Sequence, residues 1–214
     1  MEGKIPQSSR VGTVGLWTQE GGGGGLEILS GELLYETYAF PHRPRSQSAS
    51  AVVNKSQLLI ISGYSALSED RGIPSMQTVN LGGPGKEGSI EMESYSSRLA
   101  AAVTLSSGEV LITGGKGKER EAFLLSGLAL KTWLQRADML TPRIGHGAVS
   151  LQLDGKETVM VAGGWDRLGR TLSSVEIFLV RENVWQEFTA MPSPRADFSL
   201  QARPVPTSDY LKDH

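Results

Sequence analysis

Four arginines recur along the chain, and they are the side chains best suited to bind something. Arg45, Arg98, Arg143 and Arg195 each follow a proline or a serine, and they lie 53, 45 and 52 residues apart. A guanidinium has a permanent charge and a planar fork of donors that suits carboxylates. Around one opening, the four would form a ring of cations for an acidic peptide. Each can instead bond backbone carbonyls of a neighbouring unit, and for any single arginine this structural interpretation is favoured.

Other residue types give little support for catalysis or metal binding. Cys is absent, which excludes disulfides, thiolate zinc ligands and a cysteine nucleophile. His42, His146 and His214 have no partner at metal-ligand spacing, and His146 is expected to be packed and hydrogen-bonded. Carboxylates are scattered, so no pair stands out for glycoside hydrolysis. We predict no catalytic residue, no metal and no cofactor.

Composition narrows the classes of partner. The chain has 214 residues and a formal net charge of −2, which provides no field that favours nucleic acid or an anionic membrane. No stretch approaches about 18 consecutive apolar residues, and the N-terminus has no apolar run typical of a signal peptide. We therefore predict a cytoplasmic protein that binds neither nucleic acid nor membrane.

The elements that position the arginines repeat with them. A run of small and apolar residues follows each arginine, and a denser apolar run then ends in glycine, at "LLIISG" (58–63), "VLITGG" (110–115) and "VMVAGG" (159–164). Gly63, Gly115 and Gly164 are spaced by 52 and 49 residues, and Trp133 and Trp185 by 52. No convincing helical period is present. Four short strands in units of about 50 residues predict an all-β propeller.

The repeated unit resembles a kelch repeat. That pattern has an arginine, a small-residue strand, an apolar strand ending in Gly-Gly, an aromatic residue in the third strand and a tryptophan in the fourth. The unit from 142 to 192 fits it with Arg143, Gly163-Gly164, Phe178 and Trp185. The preceding unit fits with Arg98, Gly114-Gly115 and Trp133, whereas the unit before that has Ser62-Gly63 and no tryptophan. The resemblance covers about residues 11–202 and implies a kelch-like β-propeller.

The predicted organisation is a single propeller over 11–202, with tails at 1–10 and 203–214. Three blades of four antiparallel strands occupy 42–94, 95–141 and 142–192. A fourth combines 11–41 with 195–202, and the ring closes if the C-terminal strand pairs with the N-terminal strands. The chain is otherwise a piece of a larger propeller, although the complementary leftover strands favour the ring. The five glycines at 21–25 are predicted to form a loop.

The arginines and the loops after the glycines are predicted to emerge on one face of the propeller. These long loops are where a rigid scaffold usually carries binding groups. The candidate binding residues are Arg45, Tyr64, Arg98, Lys116, Arg143, Trp165, Arg167 and Arg195. The predicted structural residues are Gly63, Gly114, Gly115, Gly163, Gly164, Trp133 and Trp185. We predict non-enzymatic binding of a protein or peptide on this face. The alternatives are a propeller enzyme acting on a small molecule or carbohydrate, and a structural piece of a larger propeller.

Overall fold

The computed structural model describes residues 11–18, 24–30, 35–39, 46–54, 57–64, 73–80, 88–91, 95–126 and 132–202. The predicted tails at 1–10 and 203–214, Arg45 and the loop at 65–72 lie outside these ranges. Within them the chain forms fifteen strands, and no helix there has the length and hydropathy needed to cross a bilayer.

The strands form four antiparallel sheets, each built from consecutive strands. Sheet I contains β1 (Val11–Thr18), β2 (Gly24–Ser30) and β3 (Tyr35–Ala39). Sheet II contains β4 (Ala49–Val53), β5 (Gln57–Ile61), β6 (Ser75–Asn80) and β7 (Gly88–Glu91). Sheet III contains β8 (Ala101–Thr104), β9 (Val110–Thr113), β10 (Ala122–Ser126) and β11 (Thr132–Arg136). Sheet IV contains β12 (Gly147–Leu153), β13 (Lys156–Ala162), β14 (Val175–Leu179) and β15 (Val184–Phe188).

The hairpin between β12 and β13 shows how turn residues set the register. Leu153 pairs with Lys156, which leaves Asp154 and Gly155 as a two-residue turn with φ of 50° and 73°. Two successive positive φ values suit Asp-Gly and match the twist of a tight hairpin. The turn therefore fixes which residues of β13 face each side of sheet IV.

The sheets pack face to face, and the core lies between them. One cluster joins sheets II and III through residues such as Leu59, Ile61 and Ile112. A second joins sheets III and IV through residues such as Leu111, Val161 and Phe178. Strand β9 is buried at all four of its positions because sheets cover both of its faces. The fourth strands β11 and β15 are mostly exposed, so sheets III and IV each have their outer edge in solvent.

This architecture confirms the all-β prediction and is that of a partial β-propeller. Ring closure is not shown, because sheet I contains only β1–β3 and residues 195–202 form no strand. The backbone of Arg195 bonds Gly164 and Leu172, and that of Asp197 bonds Gly145. The loop predicted over all five glycines was wrong in part, since Gly24 and Gly25 belong to β2. Pairing with Thr18 and Trp17 across the sheet accommodates these two glycines in a strand.

Candidate binding face

Successive sheets are joined at one end by a backbone step that repeats the same geometry. Two residues before β4, β8 and β12, φ is positive, at 55° for Gln47, 59° for Leu99 and 61° for Gly145. The Leu99 N–H donates to the Gln47 carbonyl at 2.9 Å, and the Gly145 N–H donates to the Leu99 carbonyl at 2.8 Å. Asp197, with φ of 52°, continues the line by donating its N–H to the Gly145 carbonyl at 2.9 Å. We call this end of the sheets, with the loops that follow β5, β9 and β13, the loop face.

In sheets II, III and IV the second strand reaches the loop face with two positive φ values in a row. They are 61° and 93° at Gly114-Gly115, and 62° and 91° at Gly163-Gly164. A Cβ on Gly164 would lie 2.6 Å from the Ile144 carbonyl oxygen, so backbone occupies the space of a side chain. Both glycines are thus required by conformation and by contact. In sheet II, Ser62 takes the first position with φ of 54°, and Gly63 keeps the second.

The structure does not place Arg98 at the position equivalent to Arg143 and Arg195. The N–H groups of Gly115 and Gly164 donate to the carbonyls of Arg143 and Arg195, at 3.0 and 2.8 Å. The equivalent bond from Gly63 goes to the carbonyl of Ser97 at 2.9 Å, so Ser97 occupies the position of Arg143. Arg98 lies one residue later, with its guanidinium 5.2 Å from the centre of the Tyr64 ring. The predicted equivalence of Arg98 with the other arginines is therefore corrected.

Arg143 is buried inside sheet IV and is not a surface cation. Its side chain has 0% exposure. The guanidinium donates to the Gly163 and Ser174 carbonyls at 3.0 and 2.9 Å, and to the Glu176 carboxylate at 2.7 Å. The same carboxylate accepts the N–H groups of Leu140 and Thr141, at 2.7 and 2.9 Å. Arg143 therefore lacks the accessible guanidinium that its predicted binding role requires. The residue instead holds the chain between sheets III and IV.

The two remaining arginines differ from Arg143 in their surroundings. Arg195 is exposed, and its backbone carries on the step by accepting from Gly164 and donating to the Leu172 carbonyl at 3.1 Å. Arg45 lies outside the described residues. The predicted ring of four equivalent cations is thus reduced, among the described residues, to the exposed Arg195 and the half-buried Arg98.

Three predicted binding residues occupy matching places on the loop face. Tyr64 and Trp165 each directly follow the glycine position and form a backbone bridge to the segment before the first strand of their own sheet. The Lys116 N–H donates to the Arg98 carbonyl at 2.8 Å, which gives it the same place in sheet III. Tyr64, Lys116 and Trp165 therefore line successive sheets at one level, two as half-buried aromatics and one as an exposed cation.

The loop after β13 is organised by one carboxylate. Asp166 accepts the N–H groups of Leu168 and Arg170, at 2.8 and 2.9 Å, and the Arg170 guanidinium at 2.7 Å. The N–H of Arg170 and the other donors hold the pKa of Asp166 below its ordinary value. Trp165 supports the base of the loop, since its ring lies where a Cβ on Gly145 would be. The result is a preformed loop that presents Leu168 at its tip with 77% exposure.

Charges on the loop face link neighbouring loops. Arg167, with a 65% exposed side chain, lies 3.7 Å from Glu119 in the loop of sheet III. Lys118 pairs with Glu121 at 2.9 Å, and the Arg120 Nε donates to the Met139 carbonyl at 2.8 Å. Several cations thus have partners within the protein. The face is positively charged but less so than the count of its arginines and lysines predicts.

His146 packs between sheets III and IV. Its Nε2 lies 2.8 Å from the Thr113 hydroxyl, and the side chain is buried. Burial, with a smaller contribution from the charge of Arg143, lowers the pKa of His146 to about 3. The imidazole is neutral at physiological pH and links two sheets.

Both predicted structural tryptophans pack against aromatic residues of the core. Trp185 is buried, packs 4.8 Å from the Phe178 ring and donates its indole N–H to the Ala137 carbonyl at 2.7 Å. Trp133 stacks on Tyr95 with ring centres 5.3 Å apart. Tyr95 and Glu176 were both missed. A charge within the apolar run "VEIFLV" was the available signal for Glu176.

A kelch motif model matches residues 155–192, which span β13 to the end of β15 and include Trp185. The chain carries a kelch motif. The match begins at Gly155 and contains Gly163-Gly164 and the Asp166 loop, whereas Arg143 and β12 precede it. No curated protein matches the sequence.

Solved structures extend the likeness from the kelch motif to the fold. Matches include 150 chains, among them one titled "Structure of YjhT", with a TM-score of 0.66 and 14% sequence identity. The superposition covers 81% of this chain and 61% of that chain. The likeness therefore extends to sheets that precede the kelch motif, and this chain spans less than two thirds of the length of that structure.

The arrangement suits non-covalent recognition. Among the described residues, no group of three or more His, Asp or Glu side chains converges as a metal site. The kelch motif supplies one protruding, self-supported loop with an apolar tip and flanking cations, and Tyr64 and Lys116 occupy the equivalent place in the other sheets. Aromatic and arginine side chains on a rigid frame are typical of protein recognition surfaces.

Proposed function

We propose that the chain is a non-enzymatic binding module that recognises a protein or peptide on its loop face. The observation that carries this proposal is the loop at 165–171. Its conformation is fixed by Asp166, yet Leu168 at its tip is 77% exposed and makes no contribution to the core. Kelch repeats generally mediate protein–protein interactions.

The expected ligand is an extended segment with an apolar side chain and at least one carboxylate. The apolar group would pack on Leu168 and Trp165, and the carboxylate would lie against Arg167. A preformed loop lowers the entropic cost of binding because few of its bonds must be ordered by the ligand. Asp166 is held ionised by its N–H and guanidinium donors, so its role in the proposal is to shape the loop.

The test uses a random peptide library selected on the immobilised chain. Enriched peptides are then measured against Leu168→Ala and Arg167→Ala. Each change is expected to weaken binding by about 5- to 30-fold, which corresponds to the 1–2 kcal/mol typical of contact residues. Both side chains are largely exposed, so the melting temperature should change little.

Matched control residues lie on the protein surface outside the loop face. Leu134 is 45% exposed on β11, and Arg181 is exposed in the turn after β14, at the opposite end of sheet IV. Leu134→Ala and Arg181→Ala should leave binding unchanged. Peptides that bind the loop-face variants as well as the wild type, or that lose binding in the controls, would disprove the proposed function.

A further inference from the structure

On the loop face, the aromatic residue of sheet II is in contact with a cation of the chain itself. Tyr64 lies at the end of β5, and Arg98 lies on the step from sheet II to sheet III. The central carbon of the Arg98 guanidinium is 5.2 Å from the centre of the Tyr64 ring. This distance is typical of a cation–π contact. The chain therefore supplies its own guanidinium to the aromatic residue of sheet II.

Sheet IV has an aromatic residue in the same place but no such cation. Trp165 makes the same backbone bridge as Tyr64. Counted from the carbonyl that accepts the glycine N–H, Ala196 holds the place of Arg98. Among the described residues, the rings in cation–π contacts are those of Tyr64 and Phe123. Trp165 is half-buried, so part of its side chain is open to solvent and to a cation from a ligand.

A carboxylate lies beside the Trp165 ring. Asp197 holds the place that Leu99 holds after sheet II, with φ of 52° and 59° respectively. A Cβ added to Gly145 would lie 2.6 Å from the Asp197 Oδ1 and also 2.6 Å from the Trp165 Cζ3. The carboxylate oxygen and the ring edge are therefore separated by at most about twice that distance. One guanidinium can contact both groups at this separation.

The Asp197 carboxylate has no cation of its own among the described residues. Burial raises the pKa of Asp197 above its ordinary value, because the indole ring displaces water from one side of a residue that is otherwise exposed. The two arginines of the loop after β13 pair with Asp166 and Glu119 instead. Arg195 is exposed, and no described ion pair joins it to Asp197. A partly desolvated carboxylate without a partner is stabilised by a cation that a ligand brings.

We propose that Trp165 and Asp197 form a subsite for an arginine side chain of the peptide that binds the loop face, an inference that rests on the proposed function. The guanidinium would lie against the indole ring, as that of Arg98 lies against Tyr64, and would donate to the Asp197 carboxylate. Arginine suits this pair better than lysine because its planar guanidinium stacks on aromatic rings and bonds a carboxylate through two parallel N–H groups. The ligand thus has a basic residue in addition to the apolar and acidic groups assigned above.

A titration with a small probe tests the subsite without any peptide. The isotope-labelled chain receives either acetyl-arginine amide or acetyl-citrulline amide, a neutral analogue of nearly the same shape, and NMR follows the indole N–H signals. The variant Trp165→Phe identifies the Trp165 signal. The arginine probe should shift this signal saturably, with a dissociation constant on the order of 10–100 mM, and the citrulline probe should bind about 3- to 30-fold more weakly.

Two matched variants test the carboxylate. Asp197→Asn removes the charge and keeps a residue type that tolerates positive φ, so the melting temperature should change little. It should weaken binding of the arginine probe by about threefold or more and leave the citrulline probe unaffected. Asp154→Asn makes the same change in the exposed turn between β12 and β13, where φ is 50°, and should bind the arginine probe like the wild type.

The outcomes separate this proposal from the proposed function. Equal binding of the two probes, or an Asp197→Asn variant that binds the arginine probe like the wild type, would overturn the subsite. Selected peptides that depend on Leu168 and Arg167 but tolerate citrulline in place of every arginine would also overturn it, while the proposed function would stand. If no peptide binds although the arginine probe binds at Trp165, the proposed function fails and the cation site is retained.

Discussion

The variant Arg143→Met tests whether Arg143 has a structural role or a ligand-binding role. The wild-type guanidinium is fully buried and bonds Gly163, Ser174 and Glu176, the last at 2.7 Å. Methionine replaces the stem but leaves the Glu176 carboxylate, which is 1% exposed, without its counter-charge. Removing one partner of a buried ion pair costs about 3–5 kcal/mol. At about 2–4 °C for each kcal/mol in a chain of this size, the melting temperature should fall by roughly 6–20 °C.

Denaturant unfolding of a double-mutant cycle measures the coupling between the two residues. Glu176→Leu removes the acid, and the double variant removes both charges. Each single change leaves one buried charge unpaired, so the double variant should be more stable than the sum of the single losses implies. The carboxylate also caps the N–H groups of Leu140 and Thr141, and the double variant should therefore not regain full wild-type stability.

Arg170→Met is the matched control. Its guanidinium also lies 2.7 Å from a carboxylate, that of Asp166, but the Arg170 side chain is 74% exposed. An exposed pair contributes about 0–1 kcal/mol, so the loss should be several times smaller than for Arg143→Met. Equal losses at the two sites would refute the argument from burial. A loss below about 1 kcal/mol for Arg143→Met, together with weaker peptide binding, would support the ligand-binding role predicted from the sequence.

Three further predictions test the scaffold. Gly164→Ala should lower the free energy of unfolding by about 2 kcal/mol or more, and Gly155→Ala by only about 1, because both have positive φ but only Gly164 faces backbone at 2.6 Å; equal losses in denaturant titrations would contradict the role of contact. Trp185→Ala should cost about 3–5 kcal/mol in the same assay, and a loss below about 1 would show that the indole is not a core residue. For His146, the folded pKa of about 3 lies below the ordinary 6.5, so protonation of the unfolded chain lowers stability as pH falls from 6.5 towards 3. The advantage of the wild type over His146→Gln should therefore shrink by up to about 1.4 kcal/mol per pH unit in that range, and a constant difference would indicate a solvated imidazole.

Much of the fold could be predicted because the repeated strands have strict backbone requirements. A glycine pair that must adopt two positive φ values is visible in "VLITGG" and "VMVAGG", and the Asp154-Gly155 turn is equally direct. The four-strand unit followed from these markers and from the apolar runs between them. The strand content of the glycine run at 21–25 could not be predicted in this way, because glycine has no side chain whose burial would reveal a strand.

The candidate site was less predictable, since the type of a residue does not determine how exposed its side chain is in the fold. Trp165, Lys116 and Tyr64 lie on the loop face as expected, but the sequence alone did not show that Asp166 would organise the loop. The register of Arg98 was misjudged by one residue because Ser97, its neighbour, holds the structural position. A one-residue difference is within the variation of the repeat spacing, and only the hydrogen bond from Gly63 to Ser97 resolves it.

Equivalent positions hold different residues in sheets III and IV, which explains why a repeated arginine need not form a ring of cations. In sheet IV the paired positions hold Arg143 and Glu176, which neutralise each other in the core. In sheet III the same positions hold Ser97 and Phe123, and the Phe123 ring packs edge-on against Tyr95 at 5.6 Å. An ion pair fills these buried positions in sheet IV, and an aromatic contact fills them in sheet III. Neither leaves an unpaired charge in the core, where its burial would cost too much free energy. By this reasoning an arginine can be buried at this position where an acid faces it, as Glu176 faces Arg143.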